Sequence, residues 1–257
     1  DQPDAHMLHR QDEMLDALLG RHPRTVVVLK CSNPVLMPWV DKAPTVLEAW
    51  NQGTEDGHVV ADLLFGVVNP SGKVPTTYAR SADDTLYAGR PERYPGTDEG
   101  SGYPVIRYSE GLAMGYRWFQ QQTIEPLFEF GHGLSYTTFE VSHIEVTPRS
   151  APRPATVIVS ALVRNTGERA GSEVVQVYLG IPWEGQPPKR LVGFSKVHVE
   201  PGQSKRVWID VDPHATHHPF SVWDYATSSF VVHPGSYTVY VGTSSENTPH
   251  QSTVTIR

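Results

Sequence analysis

Apolar positions in the first eighty residues recur with two periods. Between residues 10 and 19, Met14, Leu15, Leu18 and Leu19 fall at one-four spacing, which predicts an amphipathic helix that Gly20 can end. Residues 25–29, TVVVL, form a short β-branched run and predict a strand buried on both faces, as in a parallel sheet covered by helices. A second short run, Thr45, Val46 and Leu47, leads through Glu48, Ala49 and Trp50 into a polar loop at 51–54. Helical spacing then returns in Val59, Val60, Leu63 and Leu64. Thr54 is the candidate N-cap, Glu55 and Asp56 suit the positive end of the dipole, and Gly66 is the candidate C-cap. Strand and helix in alternation describe an α/β layer.

Residues 66–80 read as an irregular connection broken by Pro70, Gly72 and Pro75. Residues 81–104, rich in Asp, Pro and Gly, predict a long loop, and loops beyond about 15 residues are usually functional or mobile. The apolar stretch that follows, with Ile106, Tyr108, Leu112, Met114, Tyr116, Trp118 and Phe119, is expected to run along two domains and fasten them. Beyond residue 138 the period changes to two. Runs at 139–146, 156–164, 172–179, 196–200, 205–211, 229–232, 236–241 and 252–257 are separated by turn signals such as Pro201-Gly202 and Pro234-Gly235. Strands at this spacing predict a β-sandwich, with Val175, Val177 and Leu179 facing the core and Gln176 and Tyr178 facing away. The chain therefore divides at 1–80, 81–138 and 139–257.

Charge narrows the classes further. The formal net charge of −7 lies wholly before residue 139, and neither half carries a basic stripe, so no nucleic-acid partner is expected. No apolar stretch approaches the ~20 residues that cross a bilayer, so no membrane partner is expected either. The single cysteine, Cys31, excludes an intrachain disulfide framework and reads as a semi-buried thiol. The opening residues, from Asp1 onward, do not read like a natural start, which leaves the compartment open.

No group of residues forms a catalytic motif by itself. His6 and His9 beside Asp4 lack a third spaced ligand, and His214, His217 and His218 lie between strands, so no metal site is expected. Gly131-His132-Gly133 lacks the strand, helix and lysine of a phosphate loop and reads as a tight backbone turn. The loops after the two buried strands are the candidate cleft. Ligands of open α/β sheets collect beyond the carboxyl ends of parallel strands. Ser32 and Asn33 follow the first strand; Trp50, Asn51 and Gln52 follow the second. A tryptophan beside amides suits a sugar, through stacking and neutral hydrogen bonds, although the same ring would also suit an internal packing contact.

Two long motifs carry a resemblance. Residues 47–78, LEAWNQGTEDGHVVADLLFGVVNPSGKVPTTY, resemble the signature of family 3 glycoside hydrolases, and residues 107–140, RYSEGLAMGYRWFQQQTIEPLFEFGHGLSYTTFE, resemble that family's passage into a fibronectin-like domain. Further matches at 165–167, 171–178, 190–194 and 234–242 extend the likeness over nearly the whole chain, and it is greatest to β-glucosidases. Gln52-Gly53 departs from the family's Pro-Gly and frees φ at that position. The resemblance implies an incomplete α/β sandwich, normally completed by upstream sequence, followed by a fibronectin type III-like β-sandwich. It implies as partner an upstream half of the same enzyme, containing a (β/α)8-type barrel with the nucleophilic aspartate. The acid/base glutamate would fall just before Asp1 and Gln2, so neither Glu55 nor Glu110 inherits that role. The implied reaction is retaining removal of a terminal nonreducing β-D-glucosyl unit from a glucoside or oligosaccharide, without metal or organic cofactor. Another family 3 glycosidase, such as a β-xylosidase, and a carbohydrate-binding or structural sandwich module are the alternatives; a homo-oligomer is compatible with all of them.

Overall fold

The computed structural model describes residues 6, 7, 9–151 and 155–257; Asp1, Gln2 and Asp4 lie outside the described residues. Helix α1 (Gln11–Leu19) precedes strand β1 (Val26–Leu29), and β1 pairs in parallel with β2 (Thr45–Glu48), Leu29 lying opposite Glu48. Val27 and Leu29 join Leu19, Met37, Trp39 and Tyr78 in one buried cluster. The Trp39 indole N–H donates to Asp12 Oδ1 at 2.9 Å and so ties this layer to α1. The expected burial on both faces of β1 does not hold, because Val26 is 43% exposed. Val26, Met14 and Leu18 line an open groove of ≈ 690 Å³ instead.

Helix α2 (Asp56–Leu64) follows a single 3₁₀ turn at Gly53–Glu55. Thr54 does not cap it: the chain enters straight from the tighter turn, and Asp56 N–H bonds Gly53 O. Gly66 follows the helix at φ 71 and donates to Leu63 O at 3.0 Å, as a left-handed glycine past a helix end should. The long loop carries more structure than its composition suggests. Ser81 and Asp84 form a capping box, and β3 (Thr97–Asp98) pairs with β4 (Pro104–Val105).

The connector departs from its expected role in its first part. Ile106, Tyr108, Leu112 and Met114 are exposed, whereas Tyr116 and Phe119 are buried. Those two lie on α3 (Tyr116–Gln122), a helix that composition did not reveal, and its one-three spacing sets both rings on one face.

The sandwich joins two sheets. One holds β5 (Phe139–Thr147), β7 (Val157–Asn165) and β10 (Ser204–Val211), with β7 central. The other runs β6 (Ser150–Ala151), β14 (His250–Ile256), β13 (Gly235–Gly242), β8 (Gly171–Gly180), β9 (Arg190–Val199). Val175, Val177 and Leu179 enter the core between them as the alternation requires. Gln176 and Tyr178 are buried as well, because the connector covers that outer face. The Tyr178 ring meets Tyr116 edge-on at 5.9 Å, and Gln176 Nε2 donates to Gly131 O at 3.2 Å. The run at 229–232 is not a sandwich strand; β12 (Ser229–Val231) pairs with β11 (Val222–Asp224) in a separate hairpin.

Candidate active-site loops

Parallel register makes β1 and β2 end side by side, so their following loops leave from the same edge. There Asn51 Nδ2 donates to Ser32 Oγ at 2.8 Å. Trp50 sits next to this bridge with φ 50, a left-handed backbone that costs a bulky residue energy and persists only where the surroundings enforce it. Its N–H donates to Glu48 Oε1 at 3.0 Å. Asn33 is exposed at the rim, and Gln52 is half-buried with its Oε1 enclosed and without a hydrogen-bond partner. The structure therefore joins Ser32 to Asn51, sets Trp50 beside them, and leaves Asn33 and Gln52 unbridged to the other three.

Glu48 is the residue that pattern reading missed. Its Oε2 accepts the Tyr78 hydroxyl at 2.7 Å and the Cys31 thiol at 3.6 Å, while its Oε1 holds Trp50. Burial, then the bond to Glu48, pushes the Tyr78 phenol far above its ordinary range. Burial, then the Glu48 charge, pushes the Cys31 thiol up to about 11. Both groups thus stay protonated donors at neutral pH, and the carboxylate spends its acceptors on holding the loop rather than on proton transfer. The available signal was a carboxylate at the end of an apolar strand, a position that demands partners. Among the described residues no group of three or more His, Cys, Asp or Glu could hold a metal ion. Among them, too, no helix is long and apolar enough to cross a membrane.

The family model of the glycosyl hydrolase family 3 C-terminal domain matches residues 1–136, and that of a fibronectin type III-like domain matches 173–245. The chain belongs to glycosyl hydrolase family 3. Thermostable beta-glucosidase B of Acetivibrio thermocellus is 38% identical over 256 residues, covering 96% of this chain and 32% of that protein. The crystal structure of DesR, a beta-glucosidase from Streptomyces venezuelae in complex with D-glucose, superposes with a TM-score of 0.91 at 37% identity. That match covers 100% of this chain and 32% of DesR. Beta-D-glucoside glucohydrolase from Trichoderma reesei gives a TM-score of 0.85 at 28% identity, over 100% of this chain and 37% of that one. The chain thus spans about a third of the length of the relatives it matches.

In this family 3 chain the signature run after α2 is a fastener. Asn69 Nδ2 donates to Ala170 O at 2.9 Å, and its Oδ1 accepts Ser135 Oγ and Tyr136 N at 2.9 and 2.8 Å. Lys73 pairs with Glu173 at 2.9 Å, both side chains being mostly buried. Arg169 donates to Gly66 O at 2.9 Å and its guanidinium lies over the Tyr136 ring. Further along the same seam, Glu129 Oε1 accepts the Ser244 hydroxyl at 2.7 Å. The Gly131-His132-Gly133 turn is closed by His132 N–H on Glu129 O at 3.0 Å, with Gly131 at φ 83.

Proposed function

We propose that this chain is the C-terminal portion of a retaining, exo-acting β-glucosidase that removes terminal nonreducing β-D-glucosyl units. The observation that carries the reading is the likeness to DesR along 100% of the chain at 37% identity. Retaining hydrolysis needs two carboxyl groups about 5–5.5 Å apart, one as nucleophile and one as acid and then base. The carboxylates beside the candidate loops are occupied otherwise: Glu48 by three donors and Asp56 by Lys30. The resemblance to family 3 implies that both catalytic carboxyls lie in upstream sequence, the aspartate in a (β/α)8-type barrel. Residues 1–80 supply the later part of an α/β sandwich, 81–138 the connector and 139–257 the fibronectin-like support. Ser32, Asn33, Trp50, Asn51 and Gln52 are the residues assigned to the sugar-facing rim.

A chromogenic β-glucoside tests this. The isolated chain is expected to show no turnover, and the chain assembled with its upstream half to hydrolyse the substrate. Turnover by the isolated chain at the rate of the complete enzyme would refute the assignment of roles. In the complete enzyme, Trp50→Ala is expected to raise KM for the glucoside; an unchanged KM would remove Trp50 from the rim.

A further inference from the structure

The fibronectin-like domain carries two half-exposed aromatic stacks outside its core cluster. Trp183, in the loop between β8 and β9, is 50% exposed, and its indole lies flat on the His233 imidazole with centroids 3.5 Å apart and planes within 9°. Phe230, on β12, is 48% exposed and lies on His218 at 3.7 Å and 17°. Trp223, the cross-strand neighbour of Phe230 on β11, meets that ring edge-on at 5.1 Å. In both stacks a histidine occupies one face of an aromatic ring while half of the aromatic residue stays in water. We infer that these rings form a carbohydrate-binding platform for β-linked gluco-oligosaccharides, separate from the loops after β1 and β2.

The backing histidines are held, not merely adjacent. Arg190 donates to the carbonyls of His218, Pro219 and Ser221 at 2.8, 2.7 and 2.7 Å. His218 itself sits at φ 48, an unfavourable backbone that this triple clamp stabilises. His233 O accepts the hydroxyl of the buried Tyr237 at 2.7 Å. Asp224 lies opposite Ser229 on the β11–β12 hairpin that carries Phe230. Its carboxyl is held below its ordinary range by the Thr227 hydroxyl first, then the Ala226 N–H, and more weakly by His233. Rings fixed in advance lose little freedom on binding, which is where much of the cost of recognition lies.

An exposed, pre-set aromatic ring suits the face of a sugar. A β-glucopyranose places its ring substituents equatorially, so both faces present C–H groups that stack on an aromatic face while the hydroxyls point sideways. Those hydroxyls need acceptors and donors at the rim of the rings, and Asp224, Thr227 and Ser229 on the same hairpin are of that kind. Trp208 and Phe194 provide the contrast: they are 63% and 65% exposed, yet among the described residues neither has a ring stacked on it.

Affinity electrophoresis in a soluble mixed-linkage β-glucan and calorimetric titration with cellohexaose test the platform on the 257-residue chain. The wild-type chain is expected to be retarded by the β-glucan and not by an α-linked glucan. Trp183→Ala and Phe230→Ala are each expected to weaken cellohexaose binding about two- to tenfold, the worth of one aromatic contact. Trp183→Tyr should retain most of the affinity, Trp208→Ala should leave it unchanged, and circular dichroism should show all four variants folded. No retardation of the wild type, equal retardation by the α-glucan, or an equal loss in Trp208→Ala overturns the inference. So does sedimentation showing that Trp183 and Phe230 mediate a dimer with which cellohexaose does not compete. The choice of β-glucose rests on the β-glucosidase reading, but binding needs no hydrolysis. An assembled enzyme that hydrolyses β-glucosides while the chain ignores the glucan refutes the platform alone; a chain that binds in an enzyme without β-glucosidase activity refutes only the other reading.

Discussion

Replacing Asn165 with alanine should be among the most damaging single changes in the sandwich. The side chain is fully buried, with 0% exposure, at the end of β7. Its Nδ2 donates to Arg169 O at 2.7 Å and Val199 O at 2.9 Å, and its Oδ1 accepts Thr137 Oγ1 at 2.8 Å and Gly167 N at 3.1 Å. Alanine leaves all four groups without their partner. Arg169 and Gly167 lie near the surface and can turn to water, whereas Thr137 and Val199 are buried. Two dry, unpaired groups at about 1–3 kcal/mol each cost roughly 4 kcal/mol together. For a unit of this size that lowers Tm by about 15 °C. Thermal unfolding followed by circular dichroism reads the shift directly. Asn165→Asp keeps the two accepted bonds but points a carboxylate at the carbonyls of Arg169 and Val199. Its Tm should fall at least as far at neutral pH and recover as acid protonates the group. A Tm for Asn165→Ala within about 3 °C of wild type would refute this account of the β7 end.

The seam between the domains should weaken in acid. Glu129 is held at about 2 by its bond to His132 first and the Ser244 hydroxyl next, despite burial, against an ordinary 4.5. Because the folded value is depressed, the contribution is complete above pH 4.5 and is lost as pH falls toward about 2. The gap in urea midpoint between wild type and Glu129→Gln should therefore close over that interval, and a constant gap would contradict it. Cys31, its thiol pushed up to about 11, should react with iodoacetamide far more slowly in the native chain than in urea at neutral pH. Equal rates would show that the Glu48 cluster does not hold the thiol. Gly133→Ala should destabilise strongly, because the new methyl would overlap the backbone carbonyl oxygen of Gly72, which no rotamer change can relieve. A thermal scan of that variant matching wild type would show that the 72–74 and 131–133 segments can separate freely.

The amino-acid pattern was enough to place the two parallel strands, the helices at α1 and α2 and most sandwich strands. Each rests on a local period of side chains that burial enforces along a single element. The same local logic marked Gly131 as a turn residue and put Ser32, Asn33, Trp50, Asn51 and Gln52 just past β1 and β2; the bond between Ser32 and Asn51 comes from the parallel pairing of those strands. Helix α3 escaped it, because an apolar stretch reads alike as a fastening strip and as a short helix until its partners are known. Tyr116 and Phe119 are buried, Tyr116 against Tyr178 on β8 more than fifty residues away, while Tyr108 and Met114 in the same stretch face water. Glu48, Asn165 and the His218 and His233 stacks were equally invisible, since each draws its meaning from groups that only folding brings together. Periodicity records which face of an element is buried. What covers that face, and which polar groups meet beneath it, is decided by contacts between distant segments that no local pattern encodes.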